Sequence, residues 1–207
     1  MVTTEYNICS QALALLGEGA ITNFTASDKA VVCGVLYPNF MKHLLSMHPW
    51  RFNRKKSASL TATTAPTFGY EYAFTLPSDL LAIVHAFDST ATEVKPQERY
   101  ERFGAVIHTA FTPCYLDYLY DIDEDLWPFW FVEFAATAFA ARIAIPVTED
   151  PARAELYNTI AFGTPSENNE GGLYRACKKL DSKQQPLKPF PAQSLIKARF
   201  SGMDGAR

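Results

Sequence analysis

The sequence predicts an α+β protein, mainly helical, in which a small antiparallel β subdomain is inserted into a helical bundle. Apolar residues recur with the helical period near both ends of the chain and with a period of two in the middle. No strand–helix–strand alternation is present to build a parallel sheet. We expect one domain over 1–180, with the bundle at 1–48 and 125–180 and the β subdomain at 49–124. An extended basic arm follows at 181–207.

The first two helices have recognisable ends. Thr3 or Thr4 can cap the first helix, because a threonine oxygen accepts a hydrogen bond from a free N–H of the first turn. Gly17 should end it, since glycine commonly follows the last helical turn. A second helix, capped at Ser27-Asp28, is expected to run to Met47. It should kink at Pro38, which lacks an N–H and crowds the preceding turn.

The helical pattern stops at His48-Pro49-Trp50, because proline disfavours helical geometry in the residue before it. Alternating segments rich in aromatic and β-branched residues follow. We expect them to pair in one small antiparallel sheet. The expected strands are 50–60, 70–76, 80–87 and 115–121, with a weaker one at 105–109.

A long apolar helix is expected from Asp125, with residues 126–147 apolar almost all round. It is long enough to cross a membrane. However, Glu133 and Arg142 would each cost roughly 2.5–3.5 kcal/mol near the bilayer centre. We therefore expect the central helix of a packed bundle.

Two shorter helices should complete the bundle. Asp150 followed by Pro151 is typical of a helix N-terminus, and this helix should run through Phe162. A glycine-rich loop is expected at 163–172 and a short helix at 173–180. The prolines beyond it favour an extended arm.

Charge is distributed unevenly along the 207 residues. The whole chain carries −3, yet residues 175–207 hold eight basic and two acidic side chains. An acidic body with a basic tail suggests that the tail contacts an acidic protein or nucleic acid. A tail kept in solution by its charges is the alternative.

An acidic segment, Asp121-Ile-Asp-Glu-Asp125, is the first candidate site. Asp121, Asp123 and Asp125 match the spacing of the first ligands of a calcium loop. Leu126 stands where that loop requires glycine, and Val132 where it requires glutamate. The better interpretation is that acids gather at a helix N-terminus and complement its positive end. Catalytic carboxylates stay open as an alternative.

A basic and aromatic segment is the second candidate, and it could contact nucleic acid. The same alternation also fits a strand with one face in solvent, with Trp50 and Phe52 opposite Arg51 and Asn53. Its members are Trp50, Arg51, Phe52, Arg54, Lys55 and Lys56.

The cysteines and histidines predict neither a metal site nor a cofactor site. Cys9, Cys33, Cys114 and Cys177 are widely spaced, which favours reduced thiols in a cytosolic setting. The four histidines include no pair at metal-ligand spacing.

The order of segments carries a resemblance. Residues 7–18 read Asn-x4-Ala-Leu-x2-Leu-Gly-Glu, and 48–50 read His-Pro-Trp. Residues 69–80 contain Gly-Tyr, Tyr-Ala-Phe and Leu-Pro-Ser-Asp-Leu. A Tyr/Asp strand at 115–121 then precedes the helix at 127–144. This order resembles the tail tubular protein A family, the head-to-tail adaptors of short-tailed bacteriophages.

The resemblance implies a virion protein, assembled in the host cytoplasm, without enzymatic activity or cofactor. Twelve copies would form a ring beneath the portal protein, continue the DNA channel without sequence-specific DNA binding, and receive the tail nozzle protein. The arm would dock on the portal or on a neighbour. The residues expected to dock are Phe190, Leu195, Ile196, Lys197, Arg199 and Phe200.

Two other functions stay open at this point. One is a phage-associated cell-wall hydrolase that uses the carboxylates of 121–125. The other is a DNA-binding module that uses the basic tail at 175–207, in which case affinity should fall steeply with salt.

Overall fold

Five α-helices and two small antiparallel sheets make up the described residues, 3–91 and 94–184, of the computed structural model. The expected α+β class is confirmed. Helices from both ends of the chain form a bundle, and all the described strands lie between the second and third helices in the chain. The six docking residues expected at 190–200 lie outside the described residues.

The first two helices begin at the expected caps. Helix α1 spans Glu5–Leu15, and the Thr4 hydroxyl accepts from the N–H of its first turn at 3.3 Å. Helix α2 spans Asp28–Ser46, and Ser27 caps it in the same way at 3.2 Å. Gly17, at φ 81°, follows α1 in the left-handed region that glycine adopts readily.

Helix α3 spans Phe129–Thr148, so the expected start at Asp125 is wrong. Pro128 explains the difference. The residue before a proline is disfavoured in helical geometry, and Trp127 has ψ 137°. Residues 124–126 form a separate 3-10 turn, so the acidic segment does not lie at the N-terminus of α3.

Among the described helices, α3 alone is long and apolar enough to cross a membrane. Two thirds of its most apolar window, 67%, is buried inside the protein. It packs against α1 and α2, and against the two C-terminal helices described next. This burial fits the expected central helix of a bundle.

The C-terminal helices are α4, Pro151–Phe162, and α5, Gly172–Lys183. The Asp150 carboxylate caps α4 as expected, accepting backbone N–H groups at 3.0 and 3.2 Å. The expected loop at 163–172 contains a 3-10 turn. Helix α5 continues beyond residue 180, so the folded body includes the first residues of the segment expected as an arm.

Helices α4 and α5 meet at a close approach of backbone that only glycine permits. A Cβ on Gly172 would lie 2.4 Å from the Ile160 carbonyl oxygen, and one on Gly163 would lie 2.6 Å from the Gly171 Cα. Gly163 and Gly172 also have φ of 85° and 53°. Because these glycines lack a side chain, the backbones of α4 and α5 can approach each other closely.

Two sheets replace the expected single sheet. The first has three strands: β1 Arg54–Lys56, β4 Leu80–Phe87 and β7 Tyr115–Tyr120, in the order β1-β7-β4. The second has four: β2 Ala62–Thr63, β3 Tyr72–Thr75, β5 Tyr100–Phe103 and β6 Val106–Thr109, in the order β2-β3-β6-β5.

The expected strand at 50–60 is wrong over most of its length. Residues 51–53 turn because side chains tie them to the end of α2. The Trp50 indole donates to the Leu44 carbonyl, and the fully buried Asn53 amide donates to the Leu45 carbonyl, each at 3.2 Å. Asn53 thus faces the protein and not the solvent.

Two apolar cores correspond to the two parts of the fold. The larger lies among the helices and contains Trp50. The smaller joins residues from both sheets, so the sheets pack on each other. Its buried members are Phe74, Leu76, Ala86, Ile107, Cys114, Leu116 and Tyr118.

Candidate functional site

The aromatic residues of the basic segment belong to the bundle core. Trp50 is fully buried, with its ring centroid 5.2 Å from that of Phe131 and 6.0 Å from that of Trp130. Phe52 is half-buried and packs 4.8 Å from Phe131. Trp50 therefore cannot stack on bases at the surface, as one interpretation of this segment required.

Asp181 of α5 joins the His48-Pro49-Trp50 turn to the end of the chain. It is 3% exposed and accepts the Arg51 backbone N–H at 3.0 Å. The same carboxylate lies 3.9 Å from Arg51 Nε and 4.0 Å from His48 Nε2. Burial lowers the pKa of His48, and Asp181 opposes that shift. No pattern in the sequence indicates this contact between residues 130 positions apart.

One face of the three-stranded sheet gathers charged and aromatic side chains; we call it the basic face. The pairing of β1 and β4 with β7 places the side chains of this face in two rows. Lys56 and His85 both pair with Asp117, and Phe87 pairs with Tyr115. Directly paired residues lie on the same side of a sheet, and the two rows are about 7 Å apart along β7. The basic face comprises Arg54, Lys56, His85, Phe87, Tyr115 and Asp117.

A nearly buried ion pair fixes one cation of this face. Arg54 Nε donates to Asp117 Oδ1 at 3.1 Å, and a second guanidinium nitrogen donates to Asp117 Oδ2. Asp117 is only 5% exposed, whereas the Arg54 side chain is 27% exposed. A two-point contact of this kind fixes the plane of the guanidinium group.

Lys55 lies on the opposite side of β1. Its ammonium donates to Asp79 Oδ2 at 2.8 Å, and the Tyr118 hydroxyl donates to Asp79 Oδ1 at 3.1 Å. The hydrogen bond from Lys55 contributes most to holding the pKa of Asp79 below its usual value. This group ties β1, β4 and β7 together beneath the basic face.

Two adjoining cavities open on the basic face. The first, of about 600 Å3, is lined by Arg51, by Lys55 at its edge and by the charged members of the face. The second, of about 250 Å3, is lined by Phe87 and Tyr115, with hydroxyl groups at its rim. The two cavities share Lys56, Phe87 and Val94.

The acidic segment makes structural contacts. Asp121 lies 3.1 Å from Lys42 Nζ, and Glu124 accepts the Tyr37 hydroxyl at 3.1 Å. Both partners belong to α2, so these carboxylates attach α2 to the end of β7. Burial, followed by the charge of Glu124, raises the pKa of Tyr37. The described part of the chain holds no group of three potential metal ligands.

The helices expose large apolar side chains on two separate surfaces. On α2, Val31 is 49% and Val35 is 68% exposed; on α4, Leu156 is 55% and Ile160 is 43% exposed. Both helices pack on α3. Phe129, at the start of α3, is 84% exposed. Each of these five side chains keeps at least 43% of its surface in solvent.

No protein-family model and no curated protein matches the chain. Three structural features bear on function. They are the two exposed apolar helix surfaces, the basic face with its two cavities, and the carboxylates engaged in structural contacts.

Proposed function

We propose that the protein is a structural head-to-tail adaptor of a short-tailed bacteriophage. Copies assemble side by side into a ring beneath the portal protein, extend the DNA channel and receive the tail nozzle protein. The adaptor works by assembly, without catalytic turnover, within the virion. The observation that carries this proposal is the pair of exposed apolar surfaces on α2 and α4.

Two different surfaces on one subunit suit a ring. A head-to-tail contact between unlike surfaces closes into a ring when its rotation permits, whereas a two-fold dimer uses one surface twice. The α2 surface carries Val31 and Val35 and the α4 surface carries Leu156 and Ile160, while the opposite sides of both helices pack on α3. Each pair is spaced four residues apart and so lies on one helix face, and exposed apolar patches are typical of protein contact sites.

Charge supports passage of DNA past the ring. Binding to DNA requires neutralisation of phosphates by lysine and arginine, and the body of the chain is acidic over 1–174. A channel lined by such a surface lets DNA slide.

The two alternatives have less support. In the hydrolase alternative, Asp121 and Glu124 would have to leave Lys42 and Tyr37 to do chemistry. In a turbidity assay on cell walls, the unmodified protein should cause no lysis. Asp123→Ala and Asp125→Ala should therefore have no activity to remove. In the DNA-binding alternative, most of the tail at 175–207 lies outside the described residues, and truncation at Leu180 should abolish salt-dependent DNA affinity.

Assembly tests the proposal directly. Native mass spectrometry and electron microscopy of the protein mixed with the phage's portal rings should show one stoichiometric ring added beneath each portal. Val35→Asp and Leu156→Asp should each prevent it, because a charge would be buried at the contact. Phe68→Asp, at a residue 88% exposed in the β part, is the matched control.

The result that would refute the adaptor is a portal that stays bare at saturating protein. Rings that form equally well with Val35→Asp and Leu156→Asp would refute the assigned contact surfaces.

A further inference from the structure

We propose that the basic face binds a nucleotide unit, with a phosphate over Lys56 and Arg54 and a base against Phe87 and Tyr115. This inference does not rest on the adaptor function. It concerns a site in the β part of the fold, away from the helix surfaces that assembly is proposed to use.

The register of the sheet places the two recognition elements side by side. The charged row of Lys56, Asp117 and His85 lies two residues from the aromatic row of Tyr115 and Phe87. That spacing is about 7 Å along β7. A phosphate and a base of one nucleotide are therefore able to contact both rows at once.

Arg54, which lies beside the charged row and pairs with Leu119 on β7, is placed to donate hydrogen bonds to an anion. A guanidinium group has five N–H donors in a fixed plane, and Asp117 takes up two of those of Arg54. The side chain keeps 27% of its surface exposed and lines the larger cavity. Asp117 thus orients Arg54 for a further ligand and does not cover it.

The balance of charge fits a phosphodiester. Among the described residues, Arg51 lies near Asp181 and Arg54 is paired with Asp117, whereas Lys56 forms no ion pair. One positive charge is left over at the cavity, which matches the single negative charge of a phosphodiester. His85, exposed in the same row, adds a further donor.

The aromatic row suits a flat ring. Phe87 and Tyr115 are half-buried and line the smaller cavity. Base–aromatic stacking stabilises a bound base and tolerates any sequence. Ser57, Ser89 and Thr90 line the same cavity and offer hydroxyl groups to a base edge or a sugar. A base reaches this cavity only when it is unpaired, so the ligand is a single strand or a free nucleotide.

Fluorescence polarisation with a labelled short oligothymidylate tests the proposal on the full chain. The oligothymidylate should bind, and an abasic strand of equal length should bind about tenfold more weakly because it lacks the stacking contribution. A duplex of the same length should behave like the abasic strand. Competition by thymidine monophosphate at equal nucleotide concentration identifies a free nucleotide as the ligand; its failure to compete identifies a strand.

Variants distinguish binding at the basic face from binding at the basic tail. Every variant keeps the tail, so a difference between variants reports on the face. Lys56→Gln should weaken binding and reduce the slope of log K against log salt by about 0.7. Lys42→Gln, an equal charge change on α2, is the control and should alter neither. Tyr115→Ala should remove the preference for oligothymidylate over the abasic strand, with a thermal melt to check its fold.

Three results would overturn the proposal: no polarisation change, equal affinity for the abasic strand, or equal effects of Lys56→Gln and Lys42→Gln. Lys56 is exposed and its substitution does not threaten the fold, so the comparison decides even if Tyr115→Ala unfolds.

Discussion

The contact of Asp181 with the His48-Pro49-Trp50 turn makes a quantitative prediction for Asp181→Ala. The substitution removes a hydrogen bond from the Arg51 N–H to a carboxylate, a type that contributes roughly 1.5–3 kcal/mol. It also leaves the Arg51 guanidinium without this nearby carboxylate. The Arg51 side chain is 31% exposed, so water compensates for much of the second loss.

We therefore expect Asp181→Ala to lower the free energy of unfolding by about 2–3 kcal/mol. Urea denaturation followed by tryptophan fluorescence measures it, since Trp50 lies in the adjoining core. With slopes of about 1–3 kcal/mol per molar urea, the midpoint should fall by roughly 1 M. Asp181→Asn keeps an oxygen acceptor and should lose about half as much.

The neighbouring Ser182→Ala is the matched control. Ser182 is exposed and its hydroxyl donates only to the Lys179 carbonyl within α5, so its loss should be within about 0.5 kcal/mol. An Asp181→Ala variant as stable as Ser182→Ala would refute the role assigned to this carboxylate.

Three further predictions concern single residues. Gly172→Ala should destabilise the protein by about 1–3 kcal/mol in thermal or urea unfolding, because φ is 53° and the new Cβ meets a carbonyl oxygen at 2.4 Å; Gly19→Ala, with open space around it, should be near neutral. Burial holds the pKa of His48 below the usual 6.5, so the unfolded chain takes up this proton first and stability should fall as pH drops below about 6.5; His48→Gln should flatten that slope, and an unchanged slope would contradict it. Burial raises the pKa of Cys114 to about 11 and that of Cys177 to about 12, so neither thiol should react with Ellman's reagent at pH 8 until denaturant is added.

Local sequence determined the helix ends well. Thr4, Ser27 and Asp150 cap the helices that they were expected to cap, since a cap depends on a side chain and the next three residues. The start of α3 was misplaced because apolar periodicity continues through Trp127, while Pro128 prevents that residue from adopting helical geometry.

Contacts between distant segments could not be predicted. Residues 51–53 alternate like a strand, but bonds to the α2 carbonyls hold them in a turn. The strand at 100–103 was missed because it is mostly exposed and polar, Tyr-Glu-Arg-Phe. The basic face required the pairing of β7 with β1 and β4, and strand composition does not specify register.

The chain order of the bundle has a consequence for synthesis on the ribosome. Helices α1 and α2 bury their apolar faces mainly against α3, which begins only at Phe129, after both sheets. At ordinary translation rates of about 5–20 residues per second, the nascent chain carries these two helices without their partner for several seconds. The β part can fold during that interval, so the helices made last complete the bundle after the inserted β part is in place.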